Sequence, residues 1–273
     1  ILMTSLDKYI SLALGLGATD VVIEVYTGLT RMVRFSNNEV TVVKEMMHEK
    51  ASIYASIKEK RAILEVNNTS PSAIKKAVRD VVEMAKKSSP SDVYAPLPKG
   101  PFNYNPELLK VGKIKGLPED LIGYVETAIN AALSEGAKRV AGTLTYSTGR
   151  KILRTSGGAE GVSKSSSISI SLRAFAAEDA TGHFVSIATD NKSFNPEVAG
   201  KMAGEIAKLA VNPVECEPGT YEALLGPMIS ANILEHVADA SSAFYVDAGL
   251  SFLADMLGKE VSSNVLTLID DPT

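Results

Sequence analysis

Apolar residues at Leu6, Tyr9, Ile10, Ala13 and Leu14 recur at helical spacing and form one stripe. Ser5 ahead of them is a suitable N-cap, and Gly17 suits the left-handed residue that closes a helix. The same stripe returns at Val125, Ala128, Ile129, Ala132 and Leu133, with its stop at Gly136, which is 119 positions after Gly17. Extended sequence follows each stop, at residues 21–25 and 140–146. A hairpin turn comes next. It is Arg34-Phe35-Ser36-Asn37-Asn38 in the first copy and Arg154-Thr155-Ser156-Gly157-Gly158 in the second, with Asn and Gly tolerating the positive φ of tight turns.

Strict alternation then predicts strands with one buried face. Ala51, Ile53, Ala55 and Ile57 oppose Ser52, Tyr54, Ser56 and Lys58, and Ile168, Ile170, Leu172 and Ala174 oppose Ser169, Ser171 and Arg173. Each copy closes with a helix opened by a polar cap and a proline, Ser70-Pro71 and Asn195-Pro196. Their stripes are Ile74, Ala77, Val78, Val81, Val82 and Ala85, and Ala199, Met202, Ala203, Ile206, Ala207 and Ala210.

The expected fold is therefore α/β (α+β): two tandem helix–hairpin–strand–helix repeats with antiparallel sheets, at residues 4–88 and 117–212. Between them, residues 89–116 form a linker or extended arm rich in proline and glycine, including Pro90, Pro96, Pro98, Pro101, Pro106, Gly112 and Gly116. A third region, 219–273, starts a new unit, and a last strand running to the end of the sequence predicts that the chain continues. The region has a strand at 221–225, a helix from Met228 to about Ala240, a helix around 250–257 closed by Gly258, and a strand at 265–269.

Composition narrows the function. Hydrophobic residues make up 45% and charged residues 22% of 273 positions, which is ordinary globular usage. A net charge of −4 and no basic stripe argue against nucleic-acid binding. Lys58-Glu59-Lys60-Arg61 reads as a solvated hairpin turn. No apolar run of about 18 residues predicts a membrane span, and no basic-then-apolar leader opens the chain. The single cysteine, Cys216, sits between Glu215 and Glu217, whose charges oppose thiolate formation, so an inert thiol in a reducing, cytoplasmic compartment is expected.

Candidate chemistry is sparse. Glu235, His236 and Asp239 share a helical face and are weak candidates for a metal or acid–base site, against the plainer reading of an exposed helix face. His48 and His183 read as strand-surface residues. The Gly157–Gly161 glycines read as a turn rather than a phosphate loop. Ser163, Ser165, Ser166, Ser167, Ser169 and Ser171 have no nucleophile elbow, and they read as the wetter face of a strand whose edge could accept an extended peptide.

Several stretches together resemble the TldD/PmbA peptidase family. They are residues 34–43, Gly219-Thr220-Tyr221-Glu222-Ala223-Leu224-Leu225-Gly226-Pro227, Ser251-Phe252-Leu253-Ala254-Asp255 with Leu257-Gly258-Lys259, and Asp270-Asp271-Pro272. Family members are longer, so the resemblance implies that this chain is a fragment, with 219–273 the start of a truncated β-rich C-terminal domain. In the TldD branch, the helix after the Gly-x-Tyr strand carries His-Glu-x-x-x-His, which binds zinc and activates water. Here, His236 as first ligand would need Glu at Val237 and His at Ser241. As second ligand it would need His at Ala231 and Glu at Asn232. Neither register works, so the resemblance carries over no catalytic, cofactor-binding or metal residue.

That departure is similar to the PmbA/TldE branch. It implies a non-catalytic subunit of a zinc metallopeptidase acting on small unfolded peptides, with zinc on a TldD-like partner in a heterodimer. The alternatives are an autonomous homodimeric peptidase using Glu235, His236 and Asp239, and a non-enzymatic peptide-binding scaffold. The family's association with DNA gyrase gains no support from the charge of this chain.

Overall fold

The computed structural model describes residues 6–92, 94–105, 120–190 and 192–270. Ser5, Pro106, Gly112, Gly116 and Asp271-Pro272 fall outside them. Residues up to Pro213 form one compact unit, and residues from Val214 form another.

The first unit contains the duplication. Its order is α1 (Asp7–Gly15), β1 (Asp20–Ser36), β2 (Glu39–Ile57), β3 (Lys60–Val66), α2 (Pro71–Lys87), α3 (Leu121–Ser134), β4 (Arg139–Thr155), β5 (Glu160–Phe175), β6 (Thr181–Ala188) and α4 (Pro196–Leu209). Both helix stops adopt the left-handed conformation, Gly17 at φ +100° and Gly136 at +107°. Ser70 Oγ accepts from Ala73 N and Asn195 Oδ1 from Val198 N, so both cap-plus-proline starts hold. Asn37 and Asn38, both at positive φ, make the first hairpin turn.

The repeats do not form separate sheets. They share one antiparallel sheet of order β3-β2-β1-β4-β5-β6, joined where β1 pairs with β4. Leu29 lies opposite Thr148, which is its own counterpart 119 positions later, so the repeats are related by a local two-fold through that pair. The hairpin strands are much longer than residues 21–25 and 140–146, because each backbone finds partners along its whole length. Gly28 and Gly149 pair at the centre, and a Cβ on either would lie within 3 Å of the Tyr26 ring or hydroxyl. The tyrosine lies across them.

All four helices cover one face. Val25 and Ile152 are paired on that face, as are Val33 and Leu144, and all are buried. One core gathers Ile23, Ile53, Ile74, Val78 and Val82, and the other gathers Leu144, Ile170 and Leu172 with Ala128 and Ala203. Each borrows from the other copy, since Val33 and Phe35 of β1 join the second core and Ile152 of β4 joins the first.

The described residues between α2 and α3 pass the strand ends from the β2–β3 turn to the β4–β5 turn. Ser91 N donates to Glu59 O, Tyr94 hydroxyl to the buried Asp20, and Gly100 N to Gly157 O, while Tyr104 hydroxyl accepts from Glu160 N.

The second unit contains α5 (Pro227–Ser241) and α6 (Ala243–Asp247). The helix from Met228 is present. The strands expected at 221–225 and 265–269 are not, because no neighbouring strand among the described residues takes up their backbone groups. Leu224 and Val265 are accordingly exposed. The helix expected at 250–257 is replaced by turns, with Gly249, Asp255 and Gly258 at positive φ, a conformation that interrupts a right-handed helix. In this unit Ser251 is buried and donates to Ala240 O at 2.5 Å.

Candidate functional site

The sheet face without helices carries the polar half of every alternating strand. On β5 it displays Ser163, Ser165, Ser167, Ser169 and Ser171, whereas Ser166 points to the opposite face. Thr30 and Ser147 hydroxyls lie 3.2 Å apart across the β1–β4 join, and His48 Nε2 is 3.2 Å from the same Thr30 hydroxyl. An open groove of about 790 Å³ runs beside β2, lined by Tyr26, Thr30, Met47, His48, Lys50 and Asn67. Its cations are not free for a ligand, since Lys50 pairs with Glu65 at 2.6 Å.

The serine-rich strand lies inside the sheet. β4 pairs with β5 along its length and β6 pairs with its C-terminal half, so Ser169 and Ser171 have strands on both sides. A free edge is left only over residues 160–167, before β6 begins. Ser171 Oγ is 3.0 Å from His183 Nε2. Burial and the neighbouring Arg173 lower the pKa of His183, which favours the neutral ring as a hydrogen-bonding partner. No carboxylate hydrogen-bonds this imidazole among the described residues, so the pair lacks the third member of a nucleophilic triad.

Glu235, His236 and Asp239 are exposed on α5. They do not converge into a metal-holding group, and no such group of three or more His, Cys, Asp or Glu occurs among the described residues. The three histidines stand on β2, β6 and α5, and His183 is already engaged with Ser171. The donor set therefore does not fit the zinc centre that the resemblance would otherwise imply. Cys216 is exposed, with Sγ 3.7 Å from Glu217 O.

Sequence reading missed the charged ends of the open face. At one end Asp20 is buried and accepts from Ser56 Oγ at 3.2 Å and from Tyr94. At the other, Arg139 stacks on Phe175, 4.2 Å from the ring centroid, and Arg173 Nη1 donates to Thr181 Oγ1. Arg139 and Arg173 become neighbours only through the pairing of Arg139 with Phe175 and of Ala141 with Arg173. Applying the 119-residue offset to the open-face positions could have shown that Asp20 and Arg139 occupy equivalent places.

No helix among the described residues is long and apolar enough to cross a membrane. No curated protein matches the sequence. The PmbA/TldA metallopeptidase central domain matches residues 117–212, and the PmbA/TldA metallopeptidase C-terminal domain matches residues 218–273. Three solved structures share the fold. A proposed modulator of a DNA gyrase from Thermotoga maritima superposes with a TM-score of 0.78 at 19% identity, covering 93% of this chain and 58% of its own. A proposed modulator of DNA gyrase from Bacteroides thetaiotaomicron gives 0.77 at 16%, covering 94% and 61%. TldE from Thermococcus kodakarensis gives 0.73 at 15%, covering 92% and 58%. This chain thus spans about three-fifths of the length of those structures. With two successive domains of one family matched across more than half its length, the chain belongs to the TldD/PmbA family.

Proposed function

We propose that this chain is a non-catalytic, TldE/PmbA-like subunit of a two-component zinc metallopeptidase acting on small unfolded peptides in the cytoplasm. The metal is held by a TldD-like partner in a heterodimer. The observation that carries the reading is the donor chemistry of α5: Ala231, Asn232, Val237 and Ser241 stand where the zinc-binding pattern needs histidine and glutamate. In that pattern the imidazoles hold the metal and the glutamate serves as the base beside the metal-bound water, and α5 offers neither at the required spacing. Fold similarity to a structure named TldE accompanies it. An autonomous enzyme using Glu235, His236 and Asp239 is disfavoured by their exposure and lack of convergence.

The test is to purify the chain alone and together with a TldD-like protein carrying His-Glu-x-x-x-His. Zinc content and cleavage of an unstructured reporter peptide are then measured for each. Zinc and activity should appear with the pair only. Stoichiometric zinc and cleavage by this chain alone, both abolished by His236→Ala, would refute the proposal.

A further inference from the structure

We propose that the open-face patch formed by Arg139, Arg173 and His183 docks an extended acidic segment of a partner polypeptide. The local two-fold makes this end of the sheet equivalent to the end crossed by the chain's own Ser91, Tyr94, Gly100 and Tyr104. Asp20 and Arg139 are 119 positions apart, as are Tyr54 and Arg173, and each pair occupies the same place in its copy. At the first end the chain supplies its own cover: an extended segment places the Tyr94 hydroxyl on Asp20. At the second end the carboxylate is replaced by a guanidinium, and Tyr54 by another. A segment crossing there would meet two cations where Tyr94 meets the Asp20 carboxylate.

These cations are not neutralised from within. Arg139 on β4 and Arg173 on β5 make no ion pair with a carboxylate among the described residues, whereas Arg31 on β1 and Arg154 on β4, both on the helix-covered face, do. Arg139 is held by Phe175, and Arg173 by Thr181, so their forks are partly ordered before a ligand arrives. Arg34 adds a third exposed cation on β1, the strand next to that of Arg139, while Glu178 and Asp179 bound the patch at the β5–β6 turn. Planar guanidinium groups bind carboxylates through paired hydrogen bonds. The net charge of −4 disfavours a nucleic acid as the polyanion. The inference stands independently of the assembly proposed above.

The experiment uses fluorescence anisotropy on the full chain with rhodamine-labelled alternating octapeptides of Glu-Val, Gln-Val and Lys-Val. The Glu-Val peptide should bind more tightly than the other two and weaken as salt rises. Arg139→Ala with Arg173→Ala should lower its affinity by about tenfold or more, while Lys201→Ala leaves it unchanged. Arg139→Glu with Arg173→Glu should transfer the preference to Lys-Val, an outcome that a misfolded variant cannot produce. Equal binding of Glu-Val and Gln-Val, no binding up to about 1 mM, or full affinity in the double alanine variant would overturn the proposal. Displacement of Glu-Val by equimolar inorganic phosphate would also overturn it, reassigning the patch to a free anion.

Discussion

The two repeats have one topology but pack their closing helices differently. Aligned from their first prolines, α2 and α4 match Ile74 with Ala199, Val78 with Ala203 and Val82 with Ala207. They also match the exposed Lys75 and Arg79 with the buried Gly200 and Gly204. In the first copy α1 has nine residues and leaves that side of α2 to solvent. In the second, α3 has fourteen and lies directly against α4, so close that a Cβ on Gly200 would sit 2.0 Å from Ala128 O. One copy fills its core with branched side chains, and the other brings two helix backbones together over glycine and alanine. A topology can therefore be inherited intact while the distance between its layers is reset by side-chain volume.

The largest test of this comparison concerns sharing between the copies. Phe35 belongs to the first repeat by sequence but is buried in the second core. Phe35→Ala should cost about 3–5 kcal/mol in urea unfolding. Hydrogen exchange should then quicken in α3 and α4 at least as much as in α1 and α2. Acceleration confined to the first repeat would show that the two cores are independent.

Next comes the helix contact. Gly200→Ala should destabilise by about 1–3 kcal/mol, because a backbone carbonyl blocks the new methyl. Lys75→Ala at the matching place in α2 should change stability by no more than about 0.5 kcal/mol. Equal effects in thermal melts would contradict the asymmetry.

Smaller and symmetrical effects are expected at the helix starts. Ser70→Ala and Asn195→Ala should each cost about 1 kcal/mol, since each removes the acceptor for one helix N–H. A clearly unequal pair would mean that the two caps are not equivalent.

The smallest effect is a pH dependence belonging to one copy. The pKa of His183 in the folded protein lies below the ordinary histidine value of 6.5, owing to burial and then to Arg173. The unfolded chain therefore takes up this proton more readily. The associated stability is complete above pH 6.5 and declines as the pH falls through that value toward the folded pKa. Ile63 occupies the equivalent place on β3 and has no proton to exchange. Chemical denaturation at pH 7 and pH 5 should show a smaller acid-side loss for His183→Gln than for the parent. Its NMR titration midpoint should lie below 6.5 in the parent.

Legibility in sequence followed the range of the interaction. Gly17 and Gly136, the Asn37-Asn38 turn and the capped prolines at Pro71 and Pro196 were all readable, because each acts within a few residues of itself. The central stretches of β1 and β4, around Gly28 and Gly149, were not. Their extension depends on backbone partners far along the chain rather than on alternation. The absence of the zinc pattern on α5 was equally readable, since metal ligands on one helix obey a local spacing.

Local chemistry along the chain thus determined the duplication, the turns, the caps and the shortage of metal-binding side chains. Joining of the two copies into one sheet was decided by tertiary structure, because strand pairing is a long-range choice of register. Tertiary structure likewise placed Tyr94 on Asp20, and the pairing of β4 with β5 set Arg139 beside Arg173 with no carboxylate paired to either among the described residues, which no spacing in the sequence could specify.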